Sequence, residues 1–523
     1  MIGKLFAIVA FWFLVISVTE SRSTKSNITW WCNLTPHPEP CQEFTRHYFP
    51  HAEPKHRSGF REMMVRLSLR RSINVQSKVL QVGPSCENHP QKAVWSDCLK
   101  LHESTIHQLK RALGCVKAKG RNCTDFDVQT WLSSALTNIQ TCRLGSVDLN
   151  LSNFVTPVEL KNLSMLISNS LAINGGLLQA EKNNTQGFPR WFSREERWLL
   201  QSSSASTKAN LIVAKDGSGH FRTVQEAIDA ASKRKYSTRF VIYIKKGVYR
   251  ENIEVGLNNN YIWLIGDGIK NTIITSSRSV AGGYTTYSCA TAGIDGLRFV
   301  AQGITFSNTA GPLNGQAVAL RSASDLSVFY RCAFQGYQDT IFVHSQRQFF
   351  RECYIYGTID FIFGNAAVIF QNCVIYVRKP LKGQANVITA QGRYDPFQNT
   401  GISIHNSKIL PAPDLKPVVG AFTTYLGRPW MEYSRTVILK TYIDGFVSPA
   451  GWLPWNNGSS ALDTLFYGEY QNSGPGASTS LRVKWKGFHV IKSAAVASRF
   501  TVGSFIAGQS WLPTTGVPFT TEL

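Results

Sequence analysis

The chain has 523 residues, 43% of them hydrophobic, and a formal net charge of +22 at pH 7. That length exceeds one ordinary domain, and that apolar content excludes a disordered chain. The basic excess asks for a polyanionic partner: nucleic acid, a membrane surface or an acidic polysaccharide. No RNA-reading aromatic motif, zinc-finger spacing or basic helical run is present, which weighs against nucleic acid.

Lys4 is followed by an apolar run from Leu5 to Val18, too short to span a bilayer comfortably but suited to a signal-peptide core. Residues 1–22 are predicted to be a signal peptide cut near Ser21–Ser23; a retained signal anchor is the competing reading. No later segment is long and apolar enough for a membrane helix, so no membrane contact is expected after processing. Asn27, Asn33, Asn122, Asn150, Asn162, Asn183 and Asn457 stand in Asn-X-Ser/Thr, which supports secretion. Eleven cysteines in an oxidising compartment predict disulfides, and the odd count leaves at least one thiol free or paired between chains.

Residues 27–180 read as helical. Val128, Trp131, Leu132, Ala135, Leu136, Ile139 and Cys142 share one face at 3.6-residue spacing. Val94, Cys98, Leu101, Leu109 and Leu113 form a second stripe, Phe60, Met64 and Leu67 begin a third, and 160–171 supply a fourth. Four such helices predict an all-α up-and-down bundle, led by a Pro-rich, hairpin-like segment containing Cys32 and Cys41. His102-Glu103-Ser-Thr-Ile-His107 imitates a zinc-protease helix, but its second His is one residue too far for both rings to share a metal. It reads as a solvated helix face.

Residues 181–209 change character: loop-like Asn183-Asn-Thr-Gln-Gly, then a Ser-rich stretch over 201–207, together an exposed, protease-accessible linker. From residue 210 to 523, short β-branched and aromatic runs alternate with turn residues. Two consecutive copies of one repeat stand out, Cys332-Ala-Phe-Gln-Gly-Tyr-Gln-Asp339-Thr-Ile-Phe342 and Cys353-Tyr-Ile-Tyr-Gly-Thr-Ile-Asp360-Phe-Ile-Phe363, with a third Cys at Cys373. A period of about 20 residues marks a solenoid, and the best reading is an all-β, right-handed parallel β-helix. Stacked strands lie about 4.8 Å apart, so Asp339 and Asp360 fall side by side on neighbouring coils. Such a carboxylate pair is costly unless it shares a proton or does acid–base chemistry; a structural Asp ladder is the bland alternative. The same period stacks Cys353 on Cys373, and a bridge between them is expected, whereas Cys332 and Cys289 read as small core fillers.

A Gly-X-Ser-X-Gly elbow, metal-ligand spacing and a phosphate-cradling Gly loop are all lacking, so neither a metal nor a cofactor is expected. What remains near the aspartates is Gln338, Gln316 about one coil earlier, and Arg428 with Trp430 in Leu426-Gly-Arg-Pro-Trp430. Taken alone, the glutamines could be amides satisfying coil backbone, Arg428 a surface ion pair and Trp430 plain core. Trp452 and Trp455 are candidates to extend an aromatic platform.

Two resemblances sharpen this reading. Cys32-Asn-Leu-Thr-Pro-His-Pro-Glu-Pro-Cys41, Trp95-Ser-Asp-Cys98-Leu and Ala135-Leu-Thr-Asn-Ile-Gln-Thr-Cys142 resemble the plant invertase and pectin methylesterase inhibitor family. That resemblance implies bridges Cys32–Cys41 and Cys98–Cys142. Cys86, Cys115 and Cys123 go beyond the family's usual four, and closure of Cys115 on Cys123 leaves Cys86 unpaired. Lys215-Asp-Gly-Ser-Gly-His-Phe-Arg-Thr-Val, Gly336-Tyr-Gln-Asp-Thr, Gly357-Thr-Ile-Asp-Phe-Ile-Phe-Gly364, Leu426-Gly-Arg-Pro-Trp430 and Glu469-Tyr-Gln-Asn-Ser-Gly-Pro-Gly are similar to plant pectin methylesterases, in order, across nearly the whole second half. The segment Arg197-Trp198-Leu199-Leu200 resembles the processing site of the family's long forms, with Trp198 in place of a second basic residue.

The resemblance implies a secreted, cell-wall enzyme that hydrolyses methyl esters of homogalacturonan. Asp360 corresponds to its nucleophile, Asp339 to its acid and base, Gln338 and Gln316 to oxyanion donors, and Arg428 to the group that holds and ionises the nucleophile. Thr286, Gln316, Arg428 and Trp430 match substrate contacts. Pectin is the implied partner, with pectin methylesterase inhibitor proteins and a subtilisin-like processing protease beside it. Physical chemistry agrees: carboxylate attack splits acyl transfer into two steps, and amides aimed at the oxyanion stabilise it. An adjacent Arg lowers one aspartate's pKa, and the resulting charge raises its neighbour's. The alternatives are another β-helix pectin enzyme, a galacturonan hydrolase or lyase, and a non-catalytic secreted inhibitor or binding protein.

Overall fold

The structure, a computed structural model, describes residues 28–51, 53–118, 123–155, 157–181, 209–234, 238–456, 458 and 460–523. The predicted signal peptide, Asn27, Asn122, Asn183, Asn457 and nearly all of the linker, including Arg197–Leu200, lie outside these residues.

Four long helices build the first domain: α1 (Arg57–Val82), α2 (His89–Lys117), α3 (Asp125–Asp148) and α4 (Pro157–Glu181). Thr124 and Asp127 form a capping box that starts α3, and the Asn88 side chain caps α2. The predicted stripes meet in one core: Val94, Leu101 and Leu109 of α2 pack with Val128, Leu132, Ala135 and Leu136 of α3 and with Leu160, Leu163 and Ile167 of α4. The lead is not a hairpin of extended chain but two short helices, Ile28–Asn33 and Pro38–Tyr48, joined by Cys32–Cys41. Cys98–Cys142 ties α2 to α3, and Cys115–Cys123 closes the loop before α3, leaving Cys86 free. His102 corrects the solvated-face reading. It is fully buried, and burial lowers its pKa to about 4.

From Leu211 every strand pairing is parallel, in three sheets of eleven, seven and eight strands. Each coil contributes one strand to each sheet in turn, a right-handed parallel β-helix. Aromatic ladders run up the inside: Phe329, Phe350 and Phe370 stack at successive centroid spacings of 4.6 Å. The helix Val224–Ser232 packs Val224, Ala227 and Ile228 onto the end of this core. The C-terminal segment lays Phe500, Phe505 and Trp511 against the outer face of the eleven-stranded sheet.

The coil thiols differ from expectation. Cys353 and Cys373 are buried and stacked, yet both are free. Each thiol turns to a carbonyl of the preceding coil, Cys353 Sγ to Phe329 O at 3.3 Å and Cys373 Sγ to Phe350 O at 3.6 Å. Stacking side chains in register therefore makes a thiol ladder with Cys332, not the expected bridge.

Candidate active site

The seven-stranded sheet carries the site. Strands Ile341–Val343 and Ile359–Gly364 pair with Ile341 opposite Ile362 and Phe342 opposite Phe363. That register sets Asp339 beside Asp360, and the Asp339 N–H donates to Ile359 O at 3.0 Å. Both aspartates adopt the left-handed backbone, φ 63° and 50°, which Asp tolerates better than most residues. The repeated conformation brings both carboxyls to one cavity of about 310 Å³.

Arg428 follows the strand Thr424–Gly427 two coils on. Its Nε donates to Asp360 Oδ1 at 2.9 Å and its Nη2 to Oδ2 at 2.5 Å, a bidentate grip. The Arg428 guanidinium lies over the Trp455 ring, 4.2 Å from its centroid. Arg428 is thus no surface ion pair. Asp339 has no such cation on it. Burial pushes its carboxyl well above the usual range, and the charges of Asp360 and Asp148 add to the rise against the pull of Arg428. Burial raises Asp360 as well, while the Arg428 hydrogen bonds and charge pull it back. Arg428 does not leave Asp360 lowered, contrary to expectation: in the cavity burial outweighs the arginine. Both carboxyls are raised, and only at Asp360 do hydrogen bonds from the arginine oppose the rise.

Gln316 and Gln338 line the same cavity, and among the described residues the side-chain amide of neither bonds to backbone. Gln348 shows what a coil-satisfying amide does: its Nε2 donates to Ser322 O at 2.6 Å and Ser345 O at 2.9 Å. Thr286 and Trp430 also reach the cavity. Trp430 stands edge-on to Phe363, 5.8 Å between centroids, and Gly392 gives it room, since a Cβ there would lie 2.6 Å from the ring. Trp455 joins the wall, whereas Trp452 is core, 1% exposed. Phe342, Phe363 and Tyr287 complete the wall and were not singled out from sequence. Phe342 and Phe363 had a signal, since each stands three residues after its aspartate in the repeat.

The other side of the cavity belongs to the bundle. Thr141, Leu144, Gly145, Val147 and Asp148, near the end of α3, close it opposite the aspartates. Asp148 Oδ2 accepts from the Thr286 N–H at 3.1 Å and hydroxyl at 2.8 Å. Contacts continue along α3: Thr141 with His344 at 2.8 Å, Ser134 with Ser345 at 3.1 Å, Gln129 with Phe397 O at 2.6 Å. Arg347 bridges the two domains, binding Asp325 of its own domain and Asp127 of α3. Asp97 of α2 accepts from the Thr285 hydroxyl, and burial raises its carboxyl to about 6.

Comparison with known proteins agrees with this geometry. The family described as Pectinesterase matches residues 210–509, and that described as Plant invertase/pectin methylesterase inhibitor matches residues 26–173. The chain is 60% identical to "Probable pectinesterase/pectinesterase inhibitor 60" of Arabidopsis thaliana, over 97% of this chain and 95% of the relative. It is 51% identical to "Pectinesterase 2" of Citrus sinensis, over 97% of each. Among solved structures, "Pectin methylesterase from Carrot" is 56% identical with a TM-score of 0.59, covering 60% of this chain and 98% of the carrot chain. Neither matched family is a galacturonan hydrolase or lyase, and the relatives span both domains, so the alternative readings are not favoured. The chain belongs to the pectinesterase family: it is a carboxylic ester hydrolase acting on pectin methyl esters, with a domain of the plant invertase/pectin methylesterase inhibitor family in front of its β-helix.

Proposed function

We propose that Asp360 is the nucleophile and Asp339 the acid and base of this esterase. The bidentate Arg428–Asp360 contact, beside an Asp339 that carries no cation, supports that division most directly. Asp360 attacks the methyl-ester carbonyl. The tetrahedral oxyanion is received by the Gln316 and Gln338 amides, which have no backbone partner to give up. Its collapse expels methanol, which takes its proton from Asp339, and leaves an acyl-enzyme on Asp360. Asp339, now a base, draws a proton from water. The hydroxide displaces Asp360 and frees the galacturonate carboxylate. Thr286, Arg428 and Trp430 hold the substrate around this centre.

The intact chain is a latent precursor. The end of α3 fills the mouth of the cavity and Asp148 occupies the Thr286 donors, so a polymer cannot enter. Secretion to the cell wall, removal of residues 1–22, and a cut near Arg197–Leu200 by a subtilisin-like protease would release the β-helix as a chain that begins between about Gln201 and Asn210. Free inhibitor-family proteins could then meet the same surface.

Methanol release from methylated pectin tests both points. The full chain is expected to be silent until its linker is cut, and the cut Asp360→Asn form to fold yet stay inactive, with the polymer never shortened. Full activity in folded Asp360→Asn would overturn the nucleophile assignment. Equal activity before and after cutting would overturn latency.

A further inference from the structure

Arg428 makes the contact on which the nucleophile depends, and its pose is fixed from behind by groups that touch no substrate. Its backbone leaves the sheet at Gly427, which is squeezed between two neighbours. A Cβ at Gly427 would lie 2.1 Å from Thr389 Oγ1 and 3.1 Å from Trp452 Cζ3. The segment 449–455 lies alongside: Leu426 N–H donates to Gly451 O at 2.7 Å, and Leu453 N–H to Gly427 O at 3.0 Å. Trp452 stacks on Tyr467, 4.2 Å between centroids, and its Nε1 donates to Glu469 Oε1 at 3.2 Å.

Glu469 in turn is gripped by Arg482, Nε to Oε1 at 2.8 Å and Nη2 to Oε2 at 3.1 Å. Both are fully buried, 3% and 2% exposed. The remaining Arg482 donors go to Pro449 O at 3.0 Å and Gly476 O at 2.7 Å. Apart from their bonds to each other, the side-chain hydrogen bonds of this pair end on Trp452 and Pro449 of the 449–455 segment and on Gly476 in the turn behind it. The segment supplies both the ring beneath Gly427 and, through Trp455, the ring over the Arg428 guanidinium.

A buried ion pair is a poor stabiliser compared with apolar packing, because desolvation offsets most of its attraction. What it supplies is geometry. We infer that the Glu469–Arg482 pair and Trp452 are positioning residues that hold Arg428 in its bidentate pose on Asp360. This rests on Asp360 being the nucleophile. Slackening the segment lets the guanidinium tilt off the carboxylate; Asp360 then ionises at higher pH, and the fraction of enzyme able to attack falls.

The test compares pH–rate profiles of the linker-cut chain. A stand-alone β-helix is a fair object, since 60% of this chain matches 98% of the carrot chain. Trp452→Phe keeps a ring but deletes the N–H to Glu469; Glu469→Gln keeps the shape but deletes the charge. Both are expected to lower kcat about tenfold, to leave KM within about twofold, and to move the acidic limb up by about half a pH unit or more. A variant that melts earlier yet retains the parent's acidic limb and kcat would reduce the pair to scaffold and overturn the inference. If Glu469→Gln does not fold, Trp452→Phe decides alone. Failure of the nucleophile assignment is seen separately, as activity in Asp360→Asn.

Discussion

Gln338 in the cavity and Gln348 outside it show how the proposed role of one side-chain type follows from what it bonds. Gln338 and Gln348 are both coil glutamines, but only Gln348 satisfies buried carbonyls. Gln338→Ala should therefore lower kcat by about 10²–10³ with the melting temperature unchanged. Gln348→Ala should instead cost about 1–3 kcal/mol of stability by orphaning Ser345 O and removing one donor from Ser322 O, which keeps the His344 N–H. Steady-state kinetics and thermal melts of the two variants separate the roles. Arg428 likewise acts through what it bonds, the Asp360 carboxylate. Its charge and hydrogen bonds hold Asp360 down against burial, so Arg428→Ala leaves burial unopposed and the carboxyl rises further. The base form then appears only at higher pH, and the acidic limb of kcat/KM should move up; an unmoved limb would contradict the contact.

At the scale of elements, the repeat decides what the coils do. Phe350 is sandwiched between Phe329 and Phe370 in the interior ladder and is fully buried. Phe350→Ala removes the middle ring, and neighbouring coils held by their own strand pairings cannot close the gap, so a loss of about 3–5 kcal/mol is expected in chemical denaturation. The same stacking logic misled about Cys353 and Cys373. A 20-residue offset is legible in sequence, but whether two thiols in register join covalently or stay free and hydrogen-bonded is set by side-chain rotation. The bundle helices were legible because apolar periodicity is a local property. His102 was misread because its helix is buried on more than one side, which the spacing of two histidines does not reveal.

At the scale of the whole molecule, two carboxyls sit at the seam between the domains. Asp97 and Asp148 accept from Thr285 and Thr286, and burial raises both. A carboxyl whose pKa is raised by docking favours the docked form at low pH. Asp97 is raised to about 6, and the part of that rise that docking supplies favours the docked form at low pH and is lost as pH rises through about 6. A precursor cut in its linker should therefore elute as one species near about pH 4 and separate, gaining activity, toward about pH 7. Coelution with no change across that range would show that the Arg347–Asp127 bridge and the rest of α3 hold the domains regardless.

By itself the sequence determined the two architectures, the coil period, and the partnership of Asp339, Asp360, Gln316, Gln338 and Arg428. Each rests either on a repeat that copies one geometry into the next coil or on segments matched in order along the chain. The tertiary structure alone decided what faces that site. Asp148 stands in no repeat and in no periodic stripe that points to Thr286, 138 residues away. Likewise nothing local marks Glu469, Arg482 and Trp452 as the support behind Arg428. Contacts between separately folded surfaces depend on shape and charge summed over many residues, and that information becomes visible only once both domains have folded and packed.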